Sequence, residues 1–267
     1  MPEGDTVWRA GRRLDEALAG RTLTRADLRV PALATVGLQG RSVLEVATRG
    51  KHLLMRVAGT DDDPADAWTL HSHLRMDGAW HRYRPGTRWR GGPDHQVRAV
   101  LANQDWEVVG YRLPVLELVP TIDEDRAVGH LGPDLLDPAP DLAEAVRRLT
   151  ADPQRPIAEA LLDQRAVAGI GNLYKCEVLF LRGVSPWRPV GQVDDLPGLV
   201  GLARRLLDAN RWRPEQITTV DTRRGARHWV FERAGRPCRR CRGTIRSARQ
   251  GTAPYDRVTY WCPRCQR

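Results

Sequence analysis

The chain has 267 residues, 41% of them hydrophobic, which is enough for two domains with real cores. Its formal net charge of +9 favours a polyanionic partner. No apolar run reaches the roughly 18 residues of a membrane-spanning helix, and the N-terminus lacks the apolar segment of a secretory signal. A cytoplasmic location without membrane contact is therefore expected. Four of the five cysteines fall in two CxxC pairs, which fits metal binding in a reducing compartment better than disulfides.

In chain order, Asp5 and Thr6 are good helix caps. Val7, Gly11, Leu14 and Leu18 then share one face, predicting a helix over 6–19. The next hundred residues change period. Segments 22–29, 42–48, 52–57, 67–74, 78–83, 96–102, 106–110 and 114–119 read as short strands separated by turns such as Gly59–Pro64 and Gly91–Asp94. Many short strands predict a sandwich or barrel. After about residue 123 the pattern is helical: Asp141 caps one segment, Pro156 opens another, and 173–181 and 195–210 follow. Gly169-Ile170-Gly171-Asn172 is a tight turn between helices. The expected fold is α+β. A β domain (1–122) is followed by a helical domain (123–222) and a zinc-bearing hairpin module (223–267).

Charge and chemistry concentrate at the two ends. Residues 221–267 hold 13 arginines against three acids, so this tail alone exceeds the net charge of the whole chain. Lysine occurs only at Lys51 and Lys175. For Lys175 a simple coding bias toward arginine stands beside any functional reading, and on its own Lys51 reads as a solvated turn residue. Cys238, Cys241, Cys262 and Cys265 have the spacing of a structural four-thiolate zinc site on a hairpin. Cys176 reads as a small buried apolar residue. At the other end, removal of Met1 leaves Pro2 as a secondary amine, partly unprotonated at neutral pH. Such an amine attacking a sugar C1′ gives an iminium, acidifying the C2′ proton, and Glu3 beside it can shuttle protons. From residues 1–3 alone the simpler reading is that Pro2 permits Met1 removal and Glu3 favours a helix N-terminus.

Motifs along the chain change that balance. Met1-Pro2-Glu3-Gly4-Asp5-Thr6-Val7, Gly50-Lys51-His52-Leu53-Leu54, Ser72-His73-Leu74-Arg75-Met76-Asp77-Gly78, Glu159–Gln164, Ala168–Tyr174, Gly235–Cys238 and Arg257–Gln266 occur in order. Together they resemble the formamidopyrimidine-DNA glycosylase and endonuclease VIII family, closest to endonuclease VIII. The resemblance runs from residue 2 to 266.

It implies an N-terminal β-sandwich with an N-terminal helix, a helix–two-turn–helix domain and a C-terminal zinc-finger hairpin, with DNA between the domains. The implied activity is a bifunctional DNA glycosylase and abasic-site lyase of base excision repair. Oxidised bases leave, and the strand is cut by β,δ-elimination. Pro2 is implied as Schiff-base nucleophile, Glu3 as proton shuttle and Lys51 as the lysine that meets the lesion phosphate. Asn172 and Arg257 are implied as phosphate contacts, with helix-terminal amides of the 169–171 turn as further donors. His73 is implied as another phosphate contact, and Met76 as the wedge filling the stack when a nucleotide is flipped. One structural Zn2+ is implied, with no small-molecule cofactor, and a monomer acting on damaged double-stranded DNA.

Two departures bear on specificity. The opening Pro2-Glu3-Gly4-Asp5 differs from the Pro-Glu-Leu-Pro-Glu of members acting on oxidised guanine, which favours oxidised pyrimidines. Those members also carry a wedge on a second loop, whose place here is taken as Asn103–Glu107. Arg75-Met76-Asp77 stands where endonuclease VIII enzymes often have Gln-Leu-Tyr. A non-catalytic, zinc-containing damaged-DNA-binding protein is the alternative.

Overall fold

The computed structural model describes residues 2–60, 63, 65–253 and 256–267. Met1 and part of the predicted turn at 59–64 lie outside the described residues. Contacts divide the chain into two compact units. One takes Pro2 and residues 6–130; the other takes Glu3–Asp5 and Leu131–Arg267.

Helix α1 spans Gly4–Leu18. Eight further elements of the first unit are strands of a sandwich: β1 (Arg21–Thr22), β2 (Arg25–Leu28), β3 (Ser42–Arg49), β4 (His52–Val57), β5 (Trp68–His73), β6 (Ala79–Tyr83), β7 (Val97–Ala102) and β8 (Glu107–Tyr111). A ninth, β9 (Val115–Pro120), completes it. One sheet runs β1-β3-β4-β5-β9 and the other β2-β7-β8-β6, both antiparallel. The predicted strand over 22–29 is two short strands, because the chain crosses from one sheet to the other between Thr22 and Arg25. The core lies between α1 and the sheets, where Val7, Leu14 and Leu18 pack with Leu23, Val43, Leu53, Leu70 and Leu101. Period-2 alternation is blurred in β4 and β5, since both faces of these central strands are covered.

A polar group links β3, β4 and β5 to the segment after β9. Arg56 donates to Glu124 and Glu45, and Thr69 donates to Glu124. Helix α2 is a single turn, Asp125–Val128.

The second unit is helical and then basic. It contains α3 (Leu142–Leu149), α4 (Ile157–Ala160), α5 (Asn172–Arg182) and α6 (Leu196–Asn210). Asp141 caps α3 by accepting from Glu144 N at 2.8 Å, and Asp195 caps α6 by accepting from Gly198 N at 2.8 Å. Helix α5 is buried from Leu173 to Phe180 and stops at Gly183, whose left-handed φ of 71° suits glycine. Strands β10 (Arg246–Gln250) and β11 (Arg257–Trp261) pair as the expected hairpin. Its core joins Cys176 and Phe180 of α5 to Val230, Ile245, Cys238 and Cys262.

Candidate active site

The N-terminus of α5 is built as an anion cradle, and the chain supplies its own anion. Glu3, 1% exposed, accepts from Gly171 N at 2.7 Å and Leu173 N at 2.7 Å, with Tyr174 N at 3.4 Å. Helix-terminal amides and the dipole favour a carboxylate in this position. Gly171 is glycine for a steric reason: a Cβ there would lie 2.4 Å from Glu3 Cδ. Gly4 N donates to Gly169 O at 2.9 Å, which seats the start of α1 on the same turn. The Gly171 amide, in the turn expected to donate to phosphate, is therefore engaged by Glu3, as is that of Leu173.

Asp5 is more than a cap. It is fully buried and accepts from Tyr174 Oη at 2.8 Å and from Gln216 Nε2 at 2.8 Å. Burial, then the charge of Asp5, pushes the Tyr174 phenol well above its ordinary range, so it serves as a donor. No motif announced Tyr174 or Gln216 as partners.

Asn172, the first residue of α5, donates from Nδ2 to Val258 O at 2.9 Å. Its Oδ1 accepts from Lys175 Nζ at 2.7 Å. Asn172 is thus held against β11, next to Arg257, and both side chains are partly exposed. The structure brings Glu3, Asn172 and Arg257 into one neighbourhood of the second unit.

The first unit holds Pro2, Lys51, His73 and Met76. Pro2 is partly exposed. Lys51 lies in the β3–β4 turn, and His52 and His73 are cross-strand partners beside it. Their rings meet edge to face with centroids 4.8 Å apart. Burial, and then neighbouring positive groups including Lys51, pulls His52 down to about 3 and His73 down to about 4. His73 is therefore neutral at pH 7. Its Nδ1 accepts from Arg75 N at 3.0 Å, which puts the proton on Nε2. His52 Nδ1 lies 2.8 Å from His71 Nε2, and His71 Nδ1 lies 2.6 Å from Glu117 Oε1.

Met76 is 62% exposed, so it is not a core side chain. Its turn is strained and braced. Arg75 has a φ of 46°, and Arg112, with a φ of 47°, donates from Nε to Asp77 O at 3.1 Å. Asn103, which opens the 103–107 segment, is buried. It donates to Ala17 O and accepts from Asp105 N and Trp106 N. Arg112 is the residue that reaches the Met76 turn. A left-handed arginine leaves no sequence signal of the kind glycine does.

Cys238, Cys241, Cys262 and Cys265 place their Sγ atoms within 4.8 Å of one another, a group that can hold a metal ion. The Cys238–Cys265 and Cys241–Cys262 separations are 3.9 and 3.4 Å. Tetrahedral bonds of about 2.3 Å imply sulfur separations of about 3.8 Å, so the four thiols fit such an ion. Among the described residues no other His, Cys, Asp or Glu group of this kind occurs. No helix among them is long and apolar enough to cross a membrane.

The family model of the formamidopyrimidine-DNA glycosylase N-terminal domain matches residues 1–112, and that of its H2TH domain matches residues 131–196. The chain belongs to the formamidopyrimidine-DNA glycosylase family. It is 57% identical over 268 residues to the probable endonuclease 8 2 of Streptomyces coelicolor, covering 100% of this chain and 94% of that protein. It is 47% identical over 266 residues to the DNA-(apurinic or apyrimidinic site) lyase Nei2 of Mycolicibacterium smegmatis, covering 100% of this chain and 99% of that one. In fold it is similar to Lactococcus lactis Fpg, solved with DNA containing an abasic site. That likeness has a TM-score of 0.78 at 22% identity and covers 100% of both chains.

Proposed function

We infer that this chain is a DNA glycosylase and abasic-site lyase. We propose that it removes oxidised bases, pyrimidines favoured, through a Schiff base on Pro2 and cuts the strand by β,δ-elimination. The observation that carries this reading is the fixed carboxylate of Glu3. It follows Pro2 directly and is held by the amides that open α5. A charged group buried and oriented beside a secondary amine is what proton transfer at a sugar needs.

Attack of the Pro2 nitrogen on C1′ forms the C–N bond as the base leaves with the glycosidic electrons. Glu3 takes the proton released by the attacking amine and passes it to the ring oxygen as the C1′–O4′ bond breaks and the iminium forms. Loss of the C2′ proton to an enamine then expels the 3′ phosphate, and a second elimination expels the 5′ phosphate. Lys51, Asn172 and Arg257 are assigned to the flanking phosphates, with His73 as a neutral N–H donor. Met76 is assigned to the vacated stack. The four cysteines would hold one structural Zn2+, which when bound fixes the hairpin that carries Arg257. Damaged double-stranded DNA is the proposed partner, with the protein acting as a monomer in the bacterial cytoplasm without a small-molecule cofactor. The functional modules are proposed as 1–122, 123–222 and 223–267. No observation favours a non-catalytic binding protein.

The test is borohydride reduction of untagged protein, its N-terminal Pro2 verified by mass spectrometry, with abasic and oxidised-pyrimidine duplexes. A covalent complex is expected, and its loss in P2G. Absence of any trapped complex from the verified protein sinks the Schiff-base reading.

A further inference from the structure

Lys175 is one of two lysines in a chain with 42 basic residues, and it is buried, at 1% exposure. Lysines are almost never fully buried without a reason, because burial penalises the charged form. Here burial pulls its pKa down, and Glu3 acts in the opposite direction. The nitrogen has two contacts of hydrogen-bond length. It donates to Asn172 Oδ1 at 2.7 Å and to Thr259 Oγ1 at 2.8 Å.

Both contacts set a direction. An ammonium or amine donor fixes Asn172 with its oxygen toward Lys175, and the carbonyl of Val258 accepts from Nδ2 on the other side. The amide cannot be flipped, since either partner would then meet its own kind. One Nδ2–H remains without a partner among the described residues. On the second branch Thr259 accepts from Lys175, so its own hydrogen goes to Gln250 Oε1 at 3.0 Å, and Gln250 Nε2 donates to Pro186 O at 3.0 Å. Thr259 is fully buried and Gln250 is 8% exposed. Gln250 is the cross-strand partner of Arg257.

We propose that Lys175 is a positioning residue for DNA phosphate binding. It turns the N–H side of Asn172 toward the phosphate and ties α5 to both strands of the hairpin that carries Arg257. Two phosphate-gripping side chains from distant parts of the chain thereby become one rigid clamp. The inference rests on the assignment of Asn172 to phosphate made above, and it adds the residue that orients it.

The test is a double-mutant cycle on the full-length, metal-loaded protein, using K175M, N172A and K175M/N172A. Binding to an abasic-analogue duplex is measured across a salt series. K175M keeps the length of the stem and removes the donors. It is expected to weaken binding about tenfold with little change in the salt slope, because the contact it orients is that of a neutral amide; a slope lowered by about one would instead mark Lys175 as a phosphate contact itself and overturn the positioning role. In the N172A background the same change is expected to cost less than about twofold, because its route to phosphate is already gone. Metal content and melting temperature report folding. If K175M fails to fold, K175L, which also lacks the donor, is read in the same cycle. N172A binding like the unaltered protein would overturn the phosphate assignment, and Lys175 with it. Weakened N172A beside unaltered K175M overturns the Lys175 inference alone, as does an equal loss in both backgrounds.

Discussion

The cradle at the N-terminus of α5 and the corner formed by Lys51, His73, Arg75 and Arg112 are built on opposite plans. In the cradle, donors and acceptors close on one another: Glu3 on the amides, Asp5 on Tyr174 and Gln216, Asn172 on Lys175 and Val258. At the corner, two arginines sit at positive φ, two histidines are held far below their ordinary pKa, and a methionine stands 62% exposed. The first arrangement is at rest without a ligand. The second stores unfavourable terms in strained backbone and desolvated rings. The difference is between a region whose polar groups satisfy one another and a region that carries strain.

Metal removal is the harshest way to break this contrast. A four-thiolate site contributes folding free energy outright, so stripping it should loosen β10–β11 and with it the Val258 acceptor of Asn172. Chelation is expected to reduce duplex binding by ~100-fold or more, with restoration by Zn2+, while the melt of the β unit persists. Full affinity in verified metal-free protein would detach the hairpin from the clamp. Next is Gly171→Ala. Its backbone, with a φ of −125°, admits alanine, but the new Cβ would lie 2.6 Å from Glu3 Cγ. Displacing the carboxylate from its amides should slow single-turnover cleavage by ~30-fold, about 2 kcal/mol of barrier. An unchanged rate would show that the cradle does not hold Glu3 for catalysis.

Parts of this were legible in the sequence for a physical reason: their signals are local. CxxC spacing encodes ligand geometry within a few residues, and the 169–172 glycine turn encodes a helix start. The occupant of that start was not legible, because Glu3 and Gly171 are 168 positions apart and only the fold joins them. The sequence offered those amides to phosphate; the structure gives them to Glu3. The histidine cluster was hidden for a similar reason, since His52, His71 and Glu117 sit on three strands and meet only through their register. Lys175 drew notice by rarity, but its burial and its two acceptors could not be read.

Acidity probes the corner without mutation. His52 and His73 have folded pKa values of about 3 and about 4, below the ordinary 6.5. The unfolded state therefore binds more protons between pH 6.5 and pH 4, and stability falls as pH drops through that window. The melting temperature of the β unit is expected to decline there, and H52A/H73A should flatten the decline. Bound DNA phosphate should partly restore stability by favouring the protonated rings. A flat profile in the unaltered protein would mean the rings titrate normally.

The smallest expected effect on the folded protein is also the sharpest separation of its two regions. Met76 is exposed on a turn whose backbone is held by Arg112 and His73, not by its own side chain. Met76→Ala should therefore change stability by less than ~0.5 kcal/mol. Any loss of activity must then arise with DNA bound. If Met76 fills the stack, the variant should excise about tenfold more slowly from a duplex, where flipping costs unstacking. From single-stranded DNA, with little stacking to replace, the change should be under about twofold. Equal losses on both substrates would return Met76 to a contact of the strand itself.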